Sequence, residues 1–205
     1  MNSLTDPAFA GFIKKIKVKD HKVKTRSIKL LGLTDRAHME ELTITRGDLF
    51  KEKDSIDKLK QILLWGYPRG ISKFVPELLN DKKTLETINK KLSGAIFDKT
   101  DDLFSLISNK KEIKNIGPVT LSKFAYFYGV KIRNKQALIL DRRIIEAADQ
   151  WKEISNIGLS GATFTPEQYS DYMDEIHKAA GNNNCDADQI ETFLFWCGGL
   201  FRESP

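Results

Sequence analysis

Asp141 is the carboxylate whose position in the sequence best suits a catalytic role. It follows the apolar segment 137–140 and precedes residues with helical spacing. A buried support of this kind presents the carboxylate rigidly, so the group could stabilise a developing positive charge or orient and deprotonate a water molecule. The same position suits a helix N-cap, because Asp accepts hydrogen bonds from the first free N–H groups of a helix. The pattern leaves both roles open.

The stretch IKNIGPVT at residues 113–120 predicts a tight turn between two helices. Asn115 and Gly117 are residue types that tolerate left-handed backbone angles, and Ile116 between them can enter the core. The N–H groups at the start of the second helix would then point outward, where they can bind a phosphate. An ordinary connection between helices explains this local pattern equally well.

Three segments together resemble the helix-hairpin-helix DNA glycosylase superfamily, and they are nearest to its oxoguanine-glycosylase-like members. That family has a hairpin of the form LPGVGRKTA, then an apolar helix, then a short apolar segment that ends in a catalytic Asp. This chain has NIGPVTL, SKFAYFYG and ALILDRRI in the same order. The resemblance covers residues 54–200.

The resemblance implies an enzyme that binds double-stranded DNA, flips out a damaged or modified base and breaks its bond to the sugar. Positive charge builds on the sugar in that reaction, and Asp141 is the implied catalytic carboxylate. The hairpin carbonyl groups at 114–119 could hold a monovalent cation, and no other cofactor is expected. The residues assigned to the DNA backbone at the hairpin are Asn115, Ile116, Gly117, Val119, Thr120 and Lys123.

The sequence departs from the family pattern at positions that bear on the reaction. The first hairpin glycine is Asn115, and the lysine nucleophile of bifunctional members falls on Val119. We therefore expect a monofunctional enzyme that hydrolyses the bond and leaves an abasic site. Lys123 lies one turn further along the same helix face. It is the alternative nucleophile of a glycosylase/lyase, and otherwise a contact to phosphate or solvent.

Two more regions are assigned to DNA. The loop GYPRG at 66–70 follows a helix, and we expect Tyr67 and Arg69 to act as the wedge that fills the gap left by the flipped base. An exposed turn is the competing interpretation of this loop. Arg142 and Arg143, beside the proposed catalytic carboxylate, are available for backbone phosphates or for solvent.

The last helix resembles the pocket helix of oxoguanine glycosylases. By that resemblance Glu191 and Phe195, four residues apart on one face, touch the flipped base. A carboxylate accepts hydrogen bonds only, so Glu191 would suit a base rich in donors. Trp65 and Tyr126 are further pocket candidates. The competing interpretation makes the aromatic residues core and Glu191 a surface charge.

Periodicity predicts the elements that must position these groups. Helices fit residues 55–66, 72–79, 83–92, 101–110, 118–129, 142–151, 166–180 and 186–197, and alternating Lys and Ile or Val at 14–24 predicts one or two strands. The expected fold class is mainly α: an orthogonal helical bundle with a helix-hairpin-helix motif. A small β-containing, basic appendage at 1–53 would precede the glycosylase-like domain at 54–205.

Composition narrows the function classes. The net charge of +5 permits a nucleic-acid partner without demanding one, and two cysteines without CxxC spacing exclude a disulfide framework or a four-cysteine metal site. We expect a cytoplasmic monomer, associated with the nucleoid if bacterial. The excised base, and a role in repair or against foreign DNA, are left open. A non-catalytic helix-hairpin-helix module remains the main competitor, although DNA binding alone needs no carboxylate at 141.

Overall fold

The computed structural model describes residues 2–25, 42–67, 74–108, 113, 116–161 and 163–200. Across these residues the protein is mainly α-helical, which confirms the predicted fold class. None of the helices in the described ranges combines the length and apolar character needed to cross a membrane. The helices are α1 (Pro7–Ile13), α2 (Arg46–Lys51), α3 (Ile56–Gly66), α4 (Phe74–Asn80), α5 (Lys82–Leu92), α6 (Thr100–Ser108), α7 (Pro118–Phe127), α8 (Arg142–Ala147), α9 (Pro166–Asn183) and α10 (Ala187–Leu200).

Two small sheets accompany the helices. Strand β1 (Lys22–Thr25) pairs antiparallel with β2 (Leu42–Thr45), and Val23 lies opposite Ile44. Strand β3 (Ile96–Phe97) pairs parallel with β4 (Lys131–Ile132), which pairs antiparallel with β5 (Lys135–Gln136). Three short 3₁₀ turns, Val18–Asp20, Ala148–Gln150 and Ser155–Ile157, complete the regular structure of the described residues.

The helix boundaries follow the capping residues that the sequence supplies. Ser55 caps α3, and Thr165 caps α9 through a reciprocal pair of hydrogen bonds with Gln168. Pro118 opens α7, and Gly129 follows its end with a left-handed φ of 66°. Thr100 is the first residue of α6, and Asp101 and Asp102 follow it in the first turn.

The lysine-rich N-terminal segment forms less β-structure than its alternation predicts. Only Lys22–Thr25 lies in a strand, whereas Val18 lies in a 3₁₀ turn. Ile16 and Val18 are nevertheless buried, because the chain between α1 and β1 turns these side chains inward without a sheet partner. Leu4, Ile13 and Leu49 belong to the same buried cluster as the helical core.

Helix α7 and the apolar segment after β5 form the centre of the molecule. Residues 120–128 are all buried, so α7 has no solvent face along most of its length. Residues 137–140 are also buried although they belong to no sheet. The backbone groups of this segment form hydrogen bonds with side chains instead of a neighbouring strand. The Tyr169 hydroxyl donates to the Leu138 carbonyl at 2.6 Å, and the Tyr172 hydroxyl donates to the Ile139 carbonyl at 3.1 Å. The Leu140 N–H donates to Ser122 Oγ at 3.3 Å. Asp141 therefore follows a rigidly held segment.

Helices α8 and α10 approach each other so closely that only glycine fits between them. A Cβ atom on Gly198 would lie 1.9 Å from the Arg143 carbonyl oxygen. This contact involves backbone, which cannot swing aside as a side-chain tip can. The glycine therefore fixes the spacing between the two helices.

We expect Gly198→Ala to destabilise the fold by about 2 kcal/mol, because the overpacking forces α8 and α10 apart. Gly181→Ala in α9 is the matched control, since no atom of the described part of the chain lies within 4 Å of its added Cβ. The control should gain about 0.5–1 kcal/mol from helix propensity. Urea unfolding of both variants measures the difference. Equal stability of the two would contradict the close approach.

Candidate active site

The two oxygens of Asp141 have different partners. Oδ1 accepts hydrogen bonds from the Arg143 N–H at 2.9 Å and the Ile144 N–H at 3.3 Å, which is the N-cap of α8. Oδ2 lies 3.7 Å from Lys123 Nζ. Both interpretations left open by the sequence are thus compatible, because one oxygen caps the helix while the other faces an amine.

Lys123 lies in a buried position beside that carboxylate. Its side chain is 5% exposed and that of Asp141 is 14% exposed, so water and salt screen the pair weakly. The predicted contact of Lys123 with phosphate or solvent is wrong for this structure, because α7 turns this residue inward. The structure therefore brings together the two residues that sequence reasoning had proposed as catalytic carboxylate and alternative nucleophile.

Gly66 and Tyr67 form the wall behind Lys123. The Nζ atom lies 5.5 Å from the centre of the Tyr67 ring, within the range of a cation–π contact. The Tyr67 hydroxyl is hydrogen-bonded to Thr120 Oγ1 at 2.7 Å, which fixes the ring against α7. A Cβ on Gly66 would lie 2.9 Å from Lys123 Cδ, so the lysine stem occupies the space that glycine leaves open.

This packing changes the interpretation of the predicted wedge. Tyr67 is half-buried and held at both its ring and its hydroxyl, so it would have to leave Thr120 before it could enter DNA. Arg69, the other predicted wedge residue, lies outside the described residues. The wedge assignment stays a prediction, and the structure gives Tyr67 a different role beside Lys123.

A cluster of aromatic and cationic side chains packs beside α8. The Arg143 guanidinium lies over the Phe195 ring, 4.7 Å from its centre. The His21 ring contacts Phe195 at 5.1 Å and Trp65 at 5.4 Å between ring centres. Burial lowers the pKa of His21 to about 4, and the charges of Arg46 and Arg143 act in the same direction. His21 is therefore neutral at neutral pH. Its Nδ1 atom is buried and has no hydrogen-bond partner among the described residues.

Glu191 is buried in an ion pair and does not line an open pocket. Arg46 NH1 donates to Glu191 Oε2 at 2.7 Å and Arg46 NH2 donates to Oε1 at 3.0 Å, with both side chains 0% exposed. Burial disfavours the charged Arg46, but the Glu191 carboxylate outweighs it and the pKa of Arg46 lies above its usual value. The predicted contact of Glu191 with a base is corrected, because both its oxygens are engaged by a guanidinium. The competing surface interpretation is equally wrong.

Trp65 and Tyr126 surround the same guanidinium. The Arg46 Cζ atom lies 5.2 Å from the centre of the Trp65 ring and 5.3 Å from that of Tyr126. Both aromatic residues are buried, which corrects their assignment to an open pocket and agrees with the core interpretation. Among the four predicted pocket residues, Phe195 alone is partly exposed.

The remaining predicted DNA contacts differ in how exposed they are. Gly117 is exposed but has an extended backbone with φ −94°, so the expected left-handed conformation is wrong there. Ile116 and Val119 are half-buried, whereas Thr120 is buried against Tyr67. Arg142 is largely exposed, and its Nε atom donates to Glu146 at 2.7 Å. Asn115 and the carbonyl group of residue 114 lie outside the described residues, so the hairpin and its cation stay predictions.

Sequence reasoning missed Arg46, His21 and Gly66. A signal for Arg46 did exist: a carboxylate on the otherwise apolar helix of Glu191 has to find a cation if it is buried. Nothing in the sequence says which of the many basic residues that cation is. In the parts of the chain that the structure describes, no cluster of three or more His, Cys, Asp or Glu side chains could hold a metal ion.

We expect Glu191→Gln to lower the free energy of unfolding by about 3–5 kcal/mol, because it leaves the Arg46 charge buried without its counterion. Glu86→Gln is the matched control, since Glu86 forms an exposed pair with Lys82 at 3.6 Å. The control should change stability by less than about 1 kcal/mol. Urea unfolding measures both, and an unchanged midpoint in Glu191→Gln would contradict the buried pair.

Comparison with known proteins agrees with the resemblance noted in the sequence. Residues 14–195 match the model of a family described as "Putative 8-oxoguanine DNA glycosylase OGG-like protein". The match begins well before residue 54, so it includes the basic N-terminal segment. No curated protein and no solved structure matches the chain. Because the family model spans most of the sequence, the chain belongs to this family of OGG-like DNA glycosylases.

Proposed function

We propose that this protein excises a damaged base from double-stranded DNA at the Lys123–Asp141 pair, with Lys123 as the nucleophile. One observation carries the proposal: a buried amine lies 3.7 Å from a carboxylate that a rigid segment presents. Family membership supplies the reaction class, and the two side chains supply a nucleophile and a group that can take its proton. This choice replaces the water-based hydrolysis expected from the sequence.

The chemistry begins with proton transfer. Lys123 has to lose a proton to attack, and Asp141 Oδ2 is placed to accept it. The amine then forms a bond to the sugar C1′ as the bond from C1′ to the base breaks, and the base leaves with the bonding electrons and takes up a proton. Opening of the sugar ring converts the adduct into an imine. Loss of a C2′ proton then expels the 3′ phosphate and cuts the strand.

Asp141 has a second task in this scheme. Positive charge develops on the sugar as the base departs, and a carboxylate held close to it lowers the energy of that state. The N-cap bonds to Oδ1 hold the carboxylate in place during the reaction. Asn at this position would keep the cap, since Asn and Asp cap helices about equally well, but it would carry no charge.

Water-based hydrolysis remains the second candidate, and a specific observation favours it. An ammonium group paired with a carboxylate is not nucleophilic, and the pair in the free protein has that geometry. In this alternative Lys123 stays charged and Asp141 activates a water molecule. The reaction then ends at an abasic site without a covalent intermediate.

The Arg143–Phe195 contact beside α8 suggests which base is accepted. Phe195 offers an aromatic face, and the Arg143 guanidinium beside it carries hydrogen-bond donors only. Such a pair suits an oxidised purine that presents carbonyl oxygens, and the family's description names 8-oxoguanine. Because Arg46 engages Glu191, the earlier inference of a donor-rich base no longer applies.

We expect borohydride to trap a covalent complex between the wild-type protein and a duplex that contains 8-oxoguanine. Lys123→Gln should abolish trapping, since no amine remains to form the imine. Asp141→Asn should slow base release by at least about a hundredfold. The variant keeps the helix cap but leaves the buried Lys123 without its counterion, so its melting temperature should fall although it still folds. Lys82→Gln is the matched control, because this lysine is 79% exposed on α5.

Gel analysis and mass measurement of released base separate the two candidates. Abasic sites without trapping, unchanged in Lys123→Gln, would overturn the nucleophile assignment and support water-based hydrolysis. Full activity in Asp141→Asn would overturn both candidates.

We expect Gly66→Ala to reduce excision by about tenfold or more with little loss of stability. The added Cβ meets the flexible stem of Lys123 at 2.9 Å, so the lysine moves and the fold does not. Gly181→Ala serves again as the control, because its Cβ meets nothing within 4 Å. Single-turnover excision rates and thermal melts measure the two effects. Normal rates in Gly66→Ala would show that Lys123 needs no fixed position.

A further inference from the structure

A cavity lies between the N-terminal segment and α10. Its volume is about 320 Å³, within the range of small-molecule sites. The residues that line it are Phe12, Lys15, Ile16, Lys17, Asp20, His21 and Trp196. Neither Lys123 nor Asp141 borders this cavity, and the proposed excision reaction does not use it.

Two exposed aromatic rings stand side by side at this cavity. Phe12 is 51% exposed and Trp196 is 39% exposed, and their ring centres lie 6.4 Å apart in an edge-on arrangement. Among the described residues only Ile96 is a comparably exposed large apolar side chain. Adjacent apolar groups left in water mark a surface that binds something.

The charged groups at the cavity indicate the sign of the charge that its ligand should carry. Lys15 and Lys17 are exposed, and Asp20 is the only acidic residue among the described residues that line the cavity. His21 adds no charge at neutral pH, because burial lowers its pKa to about 4. The surface therefore combines aromatic faces with a net positive charge. Proteins that bind unpaired nucleic acid use this combination, with bases stacked on aromatic rings and phosphates near lysines.

The cavity is connected to the candidate active site through aromatic rings. His21 borders the cavity and contacts Phe195. The Arg143 guanidinium lies over the Phe195 ring, and Arg143 follows Asp141 by two residues in the sequence. A short series of side-chain contacts therefore links the cavity to the helix that Asp141 caps.

We propose that this cavity binds one unpaired nucleobase of the DNA strand, stacked on Trp196 with its edge against Phe12, and that the adjoining phosphate groups lie at Lys15 and Lys17. The inference rests on the proposed function, since it assumes DNA as the ligand. It adds a nucleotide site that is separate from the residues that break the bond. Kinked DNA exposes unpaired bases beside a lesion, so such a site would stabilise the distorted strand.

Tryptophan fluorescence tests this proposal directly. The sequence has three tryptophans, and Trp65 and Trp151 are 4% and 2% exposed, so quenching by a stacked base reports on Trp196. The probe is an undamaged single-stranded oligonucleotide of eight thymidines. We expect it to quench the wild-type protein, whereas dextran sulfate, a polyanion without bases, should not. Trp196→Phe should lose the signal.

Affinity measurements on charge and ring variants complete the test. Lys15→Gln with Lys17→Gln should weaken oligonucleotide binding and reduce the slope of log K against log salt by about 1.4, the value for two phosphates of a single strand. Phe12→Leu keeps apolar packing against Phe193 and should weaken binding about fivefold or more. Lys82→Gln should bind as wild type does.

The outcomes separate this proposal from the proposed function. Absence of quenching, or quenching unchanged in the double lysine variant, would overturn the cavity proposal even if excision at Lys123 and Asp141 is normal. Conversely, normal quenching with no excision of any damaged base would leave the cavity as a nucleotide site and refute the glycosylase reaction. The lysine variants alter exposed residues only, so misfolding cannot explain their effect.

Discussion

The buried pair of Arg46 and Glu191 is the constraint on which the arrangement of the site depends. A guanidinium with no exposure to water requires its counterion, and Glu191 provides both oxygens. Arg46 NH1 also donates to Thr192 Oγ1 at 3.1 Å. These bonds fasten α2, near the start of the chain, to α10, near its end. Phe195 follows Glu191 by one helical turn, so the pair also fixes the position of Phe195 beside Arg143.

Asp141 illustrates how a structural and a chemical role can share one side chain. The sequence set capping against catalysis as competing interpretations, because both need a carboxylate before a helix. The structure assigns the cap to Oδ1 and the lysine contact to Oδ2. The cap therefore supports the contact with Lys123 by orienting the carboxylate, and neither role excludes the other.

Local signals predicted the framework, and long-range contacts decided the rest. Periodicity located α3 and α9 because this signal acts within one or two turns, and the structure places caps at Ser55 and Thr165. The burial of Lys123 was not predicted, since it depends on Gly66, which is distant in sequence and leaves space for the lysine stem. The partner of Glu191 was missed for the same reason: 145 residues separate it from Arg46.

The contact between Gly198 and the Arg143 carbonyl has a consequence for selectivity. With no clearance between α8 and α10, the backbones that carry Asp141 and Phe195 form one inflexible unit. The spacing between these two helices therefore cannot widen to admit a bulkier base. Discrimination by size must then arise from rotation of the Arg143 and Phe195 side chains, which lie against each other. Changes of preference among relatives should thus alter these side chains and conserve the glycine.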